Sequence, residues 1–137
     1  MMAKTWYTAA RALAVIVILG LVVACAPAAS PGETTGYTDI SVEQLAAMMA
    51  DKDFVLVNTH VPYEGELPQT DLFIPFDEIA DHLDELPGQG EKIVLYCRSG
   101  SMSTTAAGVL VSLGYTNVFE LDGGMNSWQA AGYEFIE

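Results

Sequence analysis

Cys97 ends an apolar run, Ile93-Val94-Leu95-Tyr96, and opens the segment Arg98-Ser99-Gly100-Ser101-Met102-Ser103. A cysteine at a strand end, ahead of a Gly/Ser-rich loop that leads into a helix, has a direct chemical reading. Small residues let successive backbone N–H groups curl inward into an anion-binding nest. The helix that follows adds the positive end of its dipole. Together these favour a thiolate, and the same cradle would hold a terminal persulfide sulfur or a bound oxyanion. A blander reading stays open, because a free cysteine often does no more than pack. No metal site is expected: two scattered histidines, His60 and His82, and one thiol do not make a ligand set.

The elements that must position this loop follow from hydrophobic periodicity. Ser41-Val42-Glu43-Gln44 has the form of a capping box, with Ser41 as N-cap and Gln44 three residues on. A helix from there through about Ala50 would bury Val42, Leu45, Ala46 and Met49 on one face. Phe54-Val55-Leu56-Val57 reads as a buried strand, and Leu72-Phe73-Ile74 as a second short apolar run ended by Pro75. Asp77 can cap a short helix through Leu83, and Pro87-Gly88-Gln89-Gly90 is a turn. Beyond the Cys97 loop a helix runs to about Leu113 and stops at Gly114 in the C′ position. Val118-Phe119-Glu120-Leu121 is the last strand, and Asp122-Gly123-Gly124 turns into a short helix that carries Trp128 and ends at Gly132. Apolar strands separated by helices predict an α/β fold, a mostly parallel sheet covered on both faces. In such sheets ligands bind beyond the carboxyl ends of the strands, which is where Cys97 stands.

The 137 residues allow one domain with a real core. Hydrophobic residues make up 51% of the chain, yet five Lys and Arg stand against eighteen Asp and Glu, a net charge of −13. The two properties belong to different regions. Residues 12–24, ALAVIVILGLVVA, carry no charge, and every carboxylate lies at or beyond Glu33. A membrane-spanning helix needs about 20 apolar residues, so this run is short for one. It fits the apolar segment of a secretory signal behind Lys4 and Arg11. Leu21-Val22-Val23-Ala24-Cys25 resembles the lipobox of bacterial lipoproteins, which are cut before the cysteine and lipidated on it. Residues 1–24 are therefore expected to be a signal peptide. Residues 25–36 would supply the lipid-modified Cys25 and a flexible tether, Ala26 to Gly36, with a mean reach of about 18 Å. The mature chain keeps Lys52, Lys92 and Arg98 as its only cationic Lys or Arg side chains, together with all the carboxylates. Such acidity argues against nucleic acid as a partner. It also leaves Cys97 as one thiol with no internal partner, unusual in an oxidising compartment.

From Tyr37 to Glu137 the chain resembles a single rhodanese domain. The resemblance rests on Tyr96-Cys97-Arg98-Ser99-Gly100, on Leu113-Gly114-Tyr115-x-x-Val118, and on Leu121-Asp122-Gly123-Gly124-x-x-x-Trp128-x-x-x-Gly132, all in order. Val55-Leu56-Val57 would match the family's second strand and Ile74-Pro75 its third. The family implies a five-stranded, largely parallel sheet with the active cysteine on the loop after the fourth strand. It also implies that Cys97 takes sulfane sulfur from a donor such as thiosulfate and passes it to a thiol, cyanide or another nucleophile. Arg98, Ser99, Gly100, Ser101, Met102 and Ser103 would cradle the persulfide, and no cofactor is required. Asn58-Thr59-His60 stands where the family commonly has Asp-x-Arg, and Gly65-Glu66-Leu67-Pro68-Gln69 replaces its Gly-His-Ile-Pro-Gly segment. Met102 stands where many active loops hold arginine, which removes a planar, multi-donor anion ligand.

His60, if it sits beside the loop, could stabilise the thiolate or relay a proton; otherwise it bonds loop backbone in place of a structural arginine. Glu64 and Asp71 read as surface or loop-ordering carboxylates, Tyr96 and Trp128 as core, and His82 as exposed. Two other function classes compete with sulfur transfer. A phosphatase or arsenate reductase would want arginine six residues after the cysteine, where Ser103 stands. A catalytically weak module for partner binding or redox sensing is the remaining alternative.

Overall fold

The computed structural model describes residues 35–137. The expected signal peptide, the lipidation site Cys25 and the tether as far as residue 34 lie outside the described residues. Nine elements follow in order: β1 (Thr38–Ile40), α1 (Val42–Met49), β2 (Val55–Asn58), β3 (Leu72–Phe73), a 3₁₀ turn (Ile79–Asp81), β4 (Ile93–Tyr96), α2 (Ser101–Ser112), β5 (Val118–Leu121) and α3 (Gly124–Ala130). The strands form one sheet in the order β1-β5-β4-β2-β3, and every pairing is parallel.

Strand alternation divides the core into two layers. Leu56, Val94, Tyr96 and Leu121 face α1 and α3, where they meet Val42, Leu45, Met49, Met125 and Trp128. Val57, Ile93, Leu95 and Val118 face the other way, against Ala106, Ala107 and Leu110 of α2 and against Ile79. Both faces are thus dry, which is why β4 is apolar at all four positions.

The α1 capping box is present, with Ser41 Oγ accepting from the Gln44 N–H and Gln44 Oε1 accepting from the Ser41 N–H. The C-terminus of α2 closes as a Schellman motif: Tyr115 N–H donates to the Leu110 carbonyl and Gly114 N–H to that of Val111. One expected element is corrected. No helix capped by Asp77 forms; residues 76–86 make successive i→i+3 turns with only the short 3₁₀ segment among them. Asp77, Glu78, Asp81, Asp84 and Glu85 would stack like charges three and four residues apart on an α-helix, with no Lys or Arg in the segment to offset them. Strand β1 is a second difference, since Thr38-Asp39-Ile40 has too little apolar character to read as a strand locally. It pairs at the sheet edge with β5, where only Ile40 is buried.

Candidate active site

Three elements converge on the end of β4. The Tyr96 carbonyl accepts from both the backbone N–H and the hydroxyl of Thr59, at 2.8 and 2.9 Å, which ties the end of β2 to the residue before Cys97. The Cys97 and Arg98 carbonyls accept from Met125 and Asn126 N–H at 2.9 and 3.0 Å, which seats the loop on the first turn of α3. That contact needs glycine at position 124: its φ is +54°, and a Cβ there would overlap the Cys97 carbonyl. Asp122-Gly123-Gly124 is therefore the support of the cysteine loop as well as a turn.

Cys97 is 1% exposed. Gly100, left-handed at φ +96°, directs its N–H to Sγ at 3.0 Å, and α2 begins at the next residue. The unpaired N–H groups of that helix's first turn give the site its positive end. Ser103 is fully buried, and its Oγ lies 3.3 Å from Sγ, 3.2 Å from the Gly100 carbonyl oxygen and 2.5 Å from Oε1 of Glu120. Glu120 is 2% exposed on β5, on the face that packs against α2. Burial pushes its carboxyl up to about 7; the Ser103 hydrogen bond opposes that rise, and Asp39 and Asp122 add to it. Nothing in the sequence reading singled out Glu120. The signal available was one carboxylate at an inward position of the otherwise apolar strand Val118-Phe119-Glu120-Leu121.

At the rim, Glu64 joins two residues. Its Oε2 lies 2.7 Å from His60 Nε2 and 2.6 Å from Arg98 Nη1. The His60 hydrogen bond, and then Arg98, hold the Glu64 carboxyl below the usual range. His60 thus meets Glu64 rather than the loop backbone. Its backbone N–H donates to Asn58 Oδ1, and its Nδ1 is buried with no partner among the described residues. Asn58, wholly buried, also donates to the Gly65 carbonyl and so closes the 58–65 loop on itself. Of the six loop residues after Cys97, the ones that hydrogen-bond Sγ are Gly100, by backbone, and Ser103, by hydroxyl. Ser99 and Ser101 are exposed and Met102 is half-buried, while Arg98 is turned to Glu64.

The outer residues order the frame. The Tyr96 hydroxyl accepts from Leu67 N–H at 3.0 Å and meets Thr70 Oγ1 at 2.8 Å, and its burial raises the phenol pKa. Asp71 accepts from Leu56 N–H and pairs with Lys52. Trp128 is buried, stacks on Tyr133 and donates to the Glu134 carbonyl. His82, half-exposed, is held by Glu85 and Glu78. Among the described residues, no three His, Cys, Asp or Glu side chains converge as a metal site would require.

Known proteins resemble this arrangement in both sequence and fold. A sulfurtransferase of Allochromatium vinosum is 33% identical over 102 residues, covering 72% of this chain and 94% of that protein. A thiosulfate sulfurtransferase of Pseudoalteromonas translucida is 29% identical, covering 74% of this chain and 97% of its own. The crystal structure of a rhodanese-like domain protein from Staphylococcus aureus superposes with a TM-score of 0.62 at 26% identity, over 73% of this chain and 96% of that one. Residues 41–131, from the α1 cap to the end of α3, match the family model for the Rhodanese-like domain. The parallel five-stranded sheet, with its cysteine loop seated between β4 and α2, belongs to a member of the rhodanese-like family.

Proposed function

We propose that the protein is an exported sulfurtransferase, or persulfide carrier, that works through Cys97. The Cys97 thiolate attacks the outer sulfur of a donor such as thiosulfate; the donor's S–S bond breaks, and sulfite leaves with that bond's electron pair. The resulting persulfide lies in the loop that Gly100, Ser103 and the start of α2 provide. An acceptor thiolate or cyanide then attacks the terminal sulfur, carries it away and releases the Cys97 thiolate. One observation carries this reading: Sγ receives the Gly100 N–H at 3.0 Å at the head of a twelve-residue helix, a place suited to a negative sulfur. Sulfurtransferases among the relatives support the same reaction class. The leader and the lipobox cysteine Cys25 support an extracytoplasmic, membrane-anchored location.

Arg98 favours a narrower choice of donor. Its guanidinium is engaged by Glu64, and Met102 brings no second cation, so a doubly charged donor meets little compensating charge. A singly charged or neutral donor, such as an organic persulfide or trisulfide, suits the site better than thiosulfate. The test is intact mass after exposure to thiosulfate, 3-mercaptopyruvate or polysulfide, using the full-length Cys25→Ser chain with and without Cys97→Ser. One added sulfur that requires Cys97 is expected. No adduct with any donor at any pH would overturn the reading and leave a non-catalytic module.

A further inference from the structure

The Ser103 hydroxyl has a single proton and three acceptors within reach: Glu120 Oε1 at 2.5 Å, the Gly100 carbonyl oxygen at 3.2 Å and Cys97 Sγ at 3.3 Å. Glu120 decides which of them receives it. As a carboxylate, Glu120 takes the hydroxyl proton at the shortest distance, and sulfur can only donate its own S–H to the Ser103 oxygen. As a carboxylic acid, Glu120 donates to the Ser103 oxygen, and the hydroxyl proton turns to sulfur, where it stabilises a thiolate. The two arrangements contain the same protons and the same charge. They differ by two hops along one line.

We propose that Glu120 takes up the Cys97 thiol proton through the Ser103 hydroxyl, and so acts as the positioning residue that makes the buried sulfur nucleophilic. In the forward hop the S–H bond breaks, its electron pair stays on sulfur, the proton passes to the Ser103 oxygen, and the hydroxyl's own proton passes to Glu120. No co-reactant is consumed. When an acceptor removes the sulfane sulfur, the departing Cys97 thiolate recovers the proton by the same path.

The surroundings of Glu120 suit this role and no simpler one. Among the described residues no Lys, Arg or His forms an ion pair with it. Its register partners are Asp39 on β1 and Leu95 on β4, and Asp122 follows two residues on along β5. Neither α2 nor α3 contains a titratable side chain. The groups that bear on its charge are therefore two carboxylates, which disfavour ionisation, and Cys97 through Ser103. A carboxyl in that setting titrates close to neutrality, as burial indicates here, and is matched to the job of exchanging a proton there. A carboxylate buried without a cationic partner would otherwise only cost stability.

Glu120 has this role only if Cys97 is the nucleophile proposed above, and the experiment separates the two claims. Full-length chains carrying Cys25→Ser, so that Cys97 is the sole thiol, are titrated by thiolate ultraviolet absorbance and assayed in parallel for persulfide formation across pH. In the parent chain the thiolate is expected to appear in two coupled steps. E120Q and S103A are each expected to show a single step at higher pH. Their persulfidation at neutral pH should fall by roughly 10²-fold, with rates that converge on the parent's in alkali. E120D should keep part of the first step. An E120Q protein with the parent's two-step titration and neutral-pH rate would overturn the proposal. Should E120Q fail to fold, Ser103 decides: loss of the first step in S103A and its return in S103T supports the relay, and an unchanged S103A profile overturns it. If the parent accepts no sulfur from any donor, the proposed function falls, while the thiolate titration still reports on Glu120.

Discussion

Replacing Glu120 by glutamine is expected to stabilise the fold, increasingly as pH rises from the ordinary carboxylate range to neutrality, and fully above it. The carboxyl is 2% exposed, and burial raises its pKa from 4.5 to about 7. An acid whose pKa is higher in the folded state binds its proton more tightly there. Its contribution to stability is fully present below the unfolded-state value and is lost as pH rises through the folded one. At about 1.4 kcal/mol per unit, the ionised form costs the native state about 3 kcal/mol once pH exceeds the folded value. Glutamine has the same shape, carries no charge and can keep a hydrogen bond to Ser103, so the variant avoids that cost. The assay is urea unfolding of the parent and E120Q chains, followed by tryptophan fluorescence at about pH 5 and about pH 8. Taking the difference between the two proteins cancels every other titrating group. That difference should grow in favour of E120Q by about 2–3 kcal/mol across the interval. A difference that is the same at both pH values would show that Glu120 titrates in the ordinary carboxylate range, and would refute the reasoning. Combined with the loss of neutral-pH reactivity expected above, the predicted result is a more stable and less active protein, the usual relation at a built site.

Glu64→Gln should free the Arg98 guanidinium from its 2.6 Å partner. The rate of sulfur transfer from thiosulfate at low salt should then rise by roughly tenfold, while a neutral organic trisulfide reacts as before; equal changes with both donors would count against the pairing as a charge barrier. For the parent chain, with a net charge of −13, the thiosulfate rate should increase with ionic strength, and a falling rate would mean that local attraction by Arg98 dominates. Gly124→Ala should cost more than the roughly 1–2 kcal/mol of a left-handed alanine, because its Cβ meets the Cys97 carbonyl. The same change should abolish sulfur uptake; normal uptake would show that α3 does not support the loop. Tyr96→Phe leaves the buried Leu67 N–H without its acceptor and should lower stability by about 1–3 kcal/mol, read as a shift in denaturant midpoint with the slope unchanged.

Much of the architecture is legible in local pattern. The capping box at Ser41 and the Gly114 stop rest on hydrogen bonds between residues close in the chain, and four of the five strands show as continuous apolar runs, so pattern and turn chemistry suffice to find them. Strand β1 escapes because only Ile40 of its three residues is buried, so no apolar run marks it, and its place at the sheet edge is set by pairing with β5. The failed Asp77 helix shows the opposite limit: a capping residue and apolar spacing were present, and like-charge repulsion outweighed them. Trp128 and Tyr96 read as core in the sequence and both are buried, yet Tyr96 also accepts a hydrogen bond from Leu67, far from it in the chain, and Trp128 donates one to Glu134 just beyond α3.

The proposed nucleophile and its loop can be read from the chain alone, because a thiol, a small-residue loop and a helix start lie within a few positions of one another. The partners of that nucleophile cannot. Glu120 lies twenty-three positions beyond Cys97, and Glu64 thirty-four positions before Arg98. An acid within the apolar run Val118-Phe119-Glu120-Leu121 is the one local sign of Glu120, and it does not say what the carboxylate meets. The two acids reach the site because β5 lies beside β4 in the sheet, and because the 58–65 loop folds back over the end of β2. A carboxylate's chemistry depends on whether water or protein surrounds it, and burial is a property of the assembled sheet and helices. In sequence Glu120 and Glu64 are two acids among eighteen. Folded, one is dry and linked to a thiol through a hydroxyl, and the other holds the loop's only cation at the surface.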